Sequence, residues 1–321
     1  MNKKVGIPRG LFYYKYFPLW KVFLEELGAE IVLSDFTTKN ILDEGVKTCV
    51  DEACLPIKIF HGHVVSLKDK VDFLFIPRFT SISKNEYICP KFGGLPDMVR
   101  HTLKGLPPII DTEVDLRKKK SKAKKAAMEI GSYFSDNKSK VNDAFEKALV
   151  GYKIFRNKLQ KGILPMEILG KRQRVSNTAS EEPMNIVIIG HVYNIYDSYV
   201  NMDMMYKLMD KGVNVITVDM MNPNDINKKA SSLNKRMFWN FGRKAVGGAL
   251  YALEREDIHG IIYLMSFGCG LDSFLSDMVE RRIRQNRNVP FTILTLDEHS
   301  GEAGLETRLE AFMDMVRWRK R

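Results

Sequence analysis

Cysteine is scarce in this chain, with four in 321 residues. So few thiols in so long a chain exclude the disulfide framework of a small secreted domain and leave metal binding, redox chemistry or inert packing. Long apolar runs are missing too. None approaches the roughly 18 residues of a membrane span, and the opening MNKKVGIPRG lacks the apolar core of a signal peptide. A soluble, cytoplasmic protein with no membrane association is therefore expected. No phosphate-cradling GxxxxGKS/T loop occurs and no strand-like run is followed by GxGxxG, which removes the commonest nucleotide-binding turns. Acidic residues are outnumbered, 39 against 50 Lys and Arg, for a formal charge of +11. Much of the excess lies in RKKKSKAKK, Arg117 to Lys125, and in the closing RWRKR, Arg317 to Arg321. The first run holds no aromatic on which a base could stack, so it reads as a solvated helix face and nucleic acid is not the expected partner.

Hydrophobic residues make up 45% of the chain, enough for two cores at this length. Over residues 1–111 the short apolar runs KVGIP, EIVL, DFLFIP and PPII alternate with helix-like stretches such as PLWKVFLEELG and IKIFHGHVVSL. That alternation predicts a parallel sheet covered by helices. Residues 112–182 read as a helical connecting region, basic and poor in glycine and proline up to Gln160, that ends in a polar linker, Lys171 to Pro183. Over 183–321 the runs MNIVIIG, VNVITV, GIIYLMSF and VPFTILTL are four buried-strand candidates separated by helical stretches. The expected fold is thus α/β, two doubly wound parallel-sheet lobes of flavodoxin-like type with a helical region between them.

In such folds chemistry collects in the loops beyond the carboxyl ends of the strands, and every cysteine but Cys49 reads plainly as a loop or helix-start cysteine. Cys269 follows GIIYLMSF and precedes a helical stretch, flanked by Gly268 and Gly270, which let backbone approach a bulky group. Cys54 is followed by Leu55 and Pro56, and Cys89 by Pro90, and proline suits a first helical turn. Cys49 and Cys54 share the stretch TCVDEACLP with Asp51 and Glu52, whose charges disfavour a thiolate. Helix-start dipoles and a bound metal act in the opposite sense. Structural zinc sites typically use close Cys pairs, and here the nearest pair is Cys49 and Cys54. Four thiolates from separated loops suit an iron–sulfur cluster better.

The strings CVDEACLPIKIFHGHV, YICPKFGGLPDMVR, HVYNIYDSYVNM, SFGCGLDSF and LDEHSGEAGLETRLEAF together resemble the 2-hydroxyacyl-CoA dehydratase and double-cubane-cluster protein superfamily. The nearest likeness is to its short branch related to the CoA-dehydratase activase. The resemblance implies two flavodoxin-like lobes with cysteine-bound iron–sulfur chemistry, supplied with low-potential electrons by a separate ATP-hydrolysing activase, in an anaerobic setting. It implies Cys54, Cys89 and Cys269 as metal ligands with Cys49 as the fourth; Gly268 and Gly270, which flank Cys269, are expected to lie against the cofactor. Nothing in the chain is similar to the activase's own nucleotide-binding domain. Four cysteines are few for a double cubane, which favours one 4Fe–4S cluster. The expected partners are the activase as electron donor, a small-molecule or acyl-CoA substrate, and a second subunit, the same or different. A non-catalytic cluster-binding partner or regulator of such a reductase is the alternative.

Among the remaining polar residues of these strings, His191 and Asp197 fall in the first loop of the second lobe. Glu298, His299 and Glu302 fall in its last strand-to-helix loop. His191, Asp197 and His299 are accordingly expected to shape the pocket and take the catalytic roles. His61 and His63, two apart, cannot share a helix face. His61 is read as a packing or supporting residue, with a substrate or proton role as its alternative. The methionines of NMDMMYKLM are read as helix packing.

Overall fold

The computed structural model describes residues 2–119, 122–170, 184–233, 235–285 and 289–320. The linker expected at Lys171 to Pro183 lies outside the described residues, as do Lys120, Ser121 and Arg321 of the basic runs. The chain divides into two compact units, one of Met1–Asn157 with Phe238–Asn240, the other of Lys158–Met237 with Phe241–Arg321.

In chain order the first unit contains β1 (Lys4–Ile7), α1 (Tyr13–Glu26), β2 (Glu30–Leu33), α2 (Lys39–Thr48), α3 (Leu55–Leu67), β3 (Phe73–Phe75), β4 (Arg78–Ser81), α4 (Pro90–Thr102), β5 (Ile109–Ile110), β6 (Glu113–Asp115), α5 (Lys122–Gly131) and the greater part of α6 (Lys138–Gln160). Strands β2, β1, β3 and β5 form a parallel sheet in that order. All four were legible as apolar runs. The separate pair β4 and β6 was not, because RFTS and EVD are short and half polar; β6 thereby places a strand at the start of the stretch expected to be helical. Phe12, Phe79 and Phe92 pack ring against ring at 4.6 and 5.0 Å from Phe12 and tie the first βα turn to β4 and α4.

Helices α2 and α3 form a hairpin in backbone contact. A methyl group at Gly45 would overlap the Lys58 carbonyl, and one at Gly62 would overlap the Ile41 carbonyl. Only glycine allows that approach. Because α3 and α4 lead back into β3 and β5, they run against the strands, and their N-termini lie at the carboxyl edge of the sheet.

The second unit continues with α7 (Pro165–Ile168), β7 (Met184–Gly190), α8 (Val192–Ile195), α9 (Met204–Asp210), β8 (Val213–Thr217), α10 (Pro223–Ala230), α11 (Asn240–Leu253, whose first residue belongs to the first unit), β9 (Ile258–Ser266), α12 (Gly270–Gln285), β10 (Phe291–Leu296) and α13 (Glu302–Lys320). Its sheet is parallel in the order β10, β9, β7, β8. Counted along the chain, both four-stranded sheets have the order second, first, third, fourth, the flavodoxin-like winding. The reversal falls between first and third strands, here β7 and β9, and a crevice opens at that edge. The core is aliphatic on this sheet: Val187, Ile189, Ile261, Leu275 and Val279 are at most 1% exposed. Among the described residues no helix is long and apolar enough to cross a membrane.

Candidate functional site

The four cysteines are free thiols. Three belong to the first unit, at helix ends. Cys54 is the residue before α3 and Cys89 the residue before α4; their carbonyls accept from Ile57 and Phe92, at 2.9 and 3.0 Å. Each thiol therefore stands at the positive end of a helix dipole, and Pro56 and Pro90 fill the first turns as their positions in sequence predict. Cys49 closes α2, its N–H donating to Gly45 at 3.0 Å. Burial pushes the Cys49 thiol up, while a hydrogen bond from the Val50 backbone and the charges of Lys58 and Lys91 pull the other way. Lys58 lies four residues after Cys54 and Lys91 two after Cys89, so the starts of α3 and α4 are within electrostatic reach of Cys49. The two ammonium groups and two helix starts oppose the charges of Asp51 and Glu52, but burial prevails and the Cys49 thiol stays above its ordinary value, so the thiolate form that a metal requires depends on the metal itself.

In the second unit β7 and β9 are neighbours, with Gly190 opposite Leu264, so the loops that follow them share the crevice at the switch point. His191 is the first residue after β7. Cys269 comes three residues after β9, behind Gly268 at φ +75°, a turn that suits glycine. Its carbonyl accepts from the Ser273 backbone and hydroxyl at the start of α12, both at 3.0 Å. One ligand-capable atom from each of His191, Cys269 and Asp272 lies within 4.8 Å of the other two. Asp272 was not anticipated from the sequence. Its carboxylate is 1% exposed and accepts from Tyr263 Oη at 3.0 Å, with His191 Nε2 at 3.1 Å from the same oxygen. Its position three residues after a helix-start cysteine was the available signal. Burial opposes a charge on His191, but Asp272 and Cys269 outweigh it and push the pKa up to about 10. Sulfur, imidazole and carboxylate in one cluster, the last two buried, can hold a thiophilic metal or support a sulfur ligand of one.

The other expected site residues are dispersed. Asp197 is buried, and its Oδ1 accepts from the backbone N–H groups of Tyr199 and Val200 at 3.0 and 3.2 Å, which fixes the loop before α9. His299 is exposed and borders a cavity of about 240 Å³ beyond the end of β10, beside Ser300, Gly304 and Arg308. Gly270 opens α12 with no atom within 4 Å of where a Cβ would stand, so the helix start beside Cys269 is sterically open. His61 and His63 are fully buried in α3. His63 bonds Ser34 Oγ at 3.0 Å and Thr37 Oγ1 at 3.1 Å, and His61 Nδ1 pairs with the Ile57 carbonyl at 2.9 Å.

Comparison with known protein families gives two matches. The model of the CoA enzyme activase uncharacterised domain (DUF2229) matches residues 4–221, and that of the 2-hydroxyglutaryl-CoA dehydratase D-component matches residues 184–316. The second match covers β7 to α13 and includes His191, Cys269 and Asp272. No curated protein matches the chain. With the first match covering more than half of its length, the chain belongs to the CoA enzyme activase uncharacterised domain family, within the 2-hydroxyacyl-CoA dehydratase and activase-related superfamily.

Proposed function

We propose that this protein binds an iron–sulfur cluster and acts as a dehydratase-like component, taking a low-potential electron from an ATP-dependent activase and passing it to a small or CoA-linked substrate. The observation that carries the proposal is the setting of the thiols: four free cysteines, three of them immediately before helices at the carboxyl edges of flavodoxin-like sheets. The ligands are Cys49, Cys54, Cys89 and Cys269, the number that one 4Fe–4S cluster needs. Bound there, the cluster supplies one-electron chemistry at low potential.

The chain's own residues supply the rest. Lys58 and Lys91 offset the negative charge that thiolate ligation concentrates beside Cys49. Gly268 and Gly270 leave room for a bulky group at Cys269. The polar cavity bordered by His299 and Arg308 takes the polar part of the substrate, and Asp197 keeps the loop before α9 in shape. Anaerobic purification followed by iron and sulfide analysis and electron paramagnetic resonance tests the reading. About four of each per chain are expected, as one cubane requires, with loss of the signal in Cys54→Ala and Cys269→Ala. Zinc in place of iron in strictly anaerobic material would refute it.

A further inference from the structure

Asp272 and His191 form a buried pair that the family matches do not assign. Removing a carboxylate and an imidazolium from water is costly, and apolar residues of the same volume would usually stabilise as well. The surroundings of this pair restrict it to one orientation. The imidazole of His191 stacks on Tyr193 at 5.0 Å between ring centres and meets Phe241 edge-on at 4.6 Å. Asp272 is fixed by Tyr263, a fully buried side chain from β9; the Tyr263 hydroxyl and His191 Nε2 share its Oδ1, while its Oδ2 has no hydrogen-bond partner among the described residues. Cys269 is a further polar neighbour of the imidazole: one ligand-capable atom of each lies within 4.8 Å of the other, and the sulfur favours the charged imidazole. A carboxylate that orients a histidine, which in turn serves a metal-site atom, is the usual build of the layer behind metal ligands.

We propose that His191, held by Asp272 and Tyr263, is the positioning residue of Cys269: its ring N–H donates to the sulfur, orients it for ligation and makes a cluster bound there easier to reduce. The last part rests on the cluster reading above. Reduction adds negative charge that spreads onto the ligand sulfurs, and an N–H donor stabilises the reduced form more than the oxidised one, so hydrogen bonds to sulfur raise the potential. A charge-assisted hydrogen bond of ordinary strength corresponds to about a tenfold effect on such an equilibrium.

The experiment compares full-length wild type with His191→Phe, which keeps an aromatic ring in the stack but has no donor, and with Tyr263→Phe, which removes only the hydroxyl that steadies Asp272. Iron per chain and the redox titration of the electron paramagnetic resonance signal are measured on each. With iron content retained, the reduced-to-oxidised ratio at fixed potential should fall about tenfold in His191→Phe, or about 59 mV for one electron. It should fall about two- to threefold in Tyr263→Phe. His191→Gln, which restores an N–H donor, should recover part of the loss. Unchanged potentials with iron intact overturn the proposal. If the wild type itself holds no iron, the cluster reading fails and the contact is judged on the apo chain. Alkylation of Cys269 by iodoacetamide, with Cys89 as internal standard, should then be about threefold slower in His191→Phe, because losing the N–H donor at the sulfur is partly offset by its greater intrinsic nucleophilicity. Equal rates in that assay reject the His191 to Cys269 interaction itself.

Discussion

Replacing Gly62 by alanine should damage the protein in a way that helix propensity alone would not predict. Alanine is the better helix former by up to about 1 kcal/mol, so Gly→Ala within a helix is ordinarily stabilising. At Gly62 the new methyl would occupy the space of the Ile41 carbonyl in α2. Neither backbone can give way without separating the two helices, and overpacking of this kind costs about 1–3 kcal/mol or more. A net destabilisation of about 2 kcal/mol follows, or roughly 4–8 °C in Tm for a unit of this size. Gly94 in α4 is the matched control, because a Cβ there meets nothing within 4 Å and alanine should raise Tm slightly. Calorimetry on the full chain, with urea titration as a second measure, reads the difference between the variants. The functional consequence is separable. Cys49 and Cys54 sit at the joined ends of the two helices, so spreading the hairpin should also lower iron per chain, while Gly94→Ala leaves it unchanged. If Gly62→Ala melts at or above the Gly94→Ala temperature, the backbone contact is not what fixes the hairpin, and the reasoning fails.

Three further outcomes are expected. His63 is buried against Ser34 and Thr37, and burial with the nearby Arg9 charge pulls its pKa from 6.5 to about 3. The unfolded chain therefore binds a proton below pH 6.5 that the folded chain refuses until about pH 3. Full stability holds above 6.5 and falls by about 1.4 kcal/mol per pH unit between those values; His63→Gln should flatten the urea-derived slope over that window, and an unchanged slope would contradict the assignment. Asp197→Ala should destabilise by about 1–3 kcal/mol through two unsatisfied loop N–H groups, whereas Asp197→Asn, which keeps the acceptor oxygen, should retain most of the stability; equal losses would argue against a loop-fixing role. The isolated chain, which has no phosphate-cradling loop, should hydrolyse no ATP above background until an activase is added, and saturable hydrolysis by the pure chain would count against the proposed division of labour.

Much of this protein was determined by the sequence alone. Apolar runs of strand length between helical stretches named six of the eight strands of the two main sheets almost residue for residue, and closely bracketed the short β3 and β5, because parallel strands buried on both faces admit little else. Proline and glycine beside Cys54, Cys89 and Cys269 likewise announced three helix starts, because those residues act on the local backbone and need no distant partner. The pair β4 and β6 escaped notice since each is short, half polar and paired as a strand with the other alone among the described residues. Asp272 and Tyr263 escaped for a related reason. Their importance depends on β7 lying next to β9, with 67 intervening residues between Gly190 and Ile258, and strand order is a tertiary fact. The same holds for the α2–α3 contact, where the role of Gly45 and Gly62 exists only once the helices cross. Local chemistry identified residues of metal-ligating and charged type; the winding of the sheet brought His191, Cys269 and Asp272 together, whereas Asp197 holds a loop and His299 lines a separate cavity.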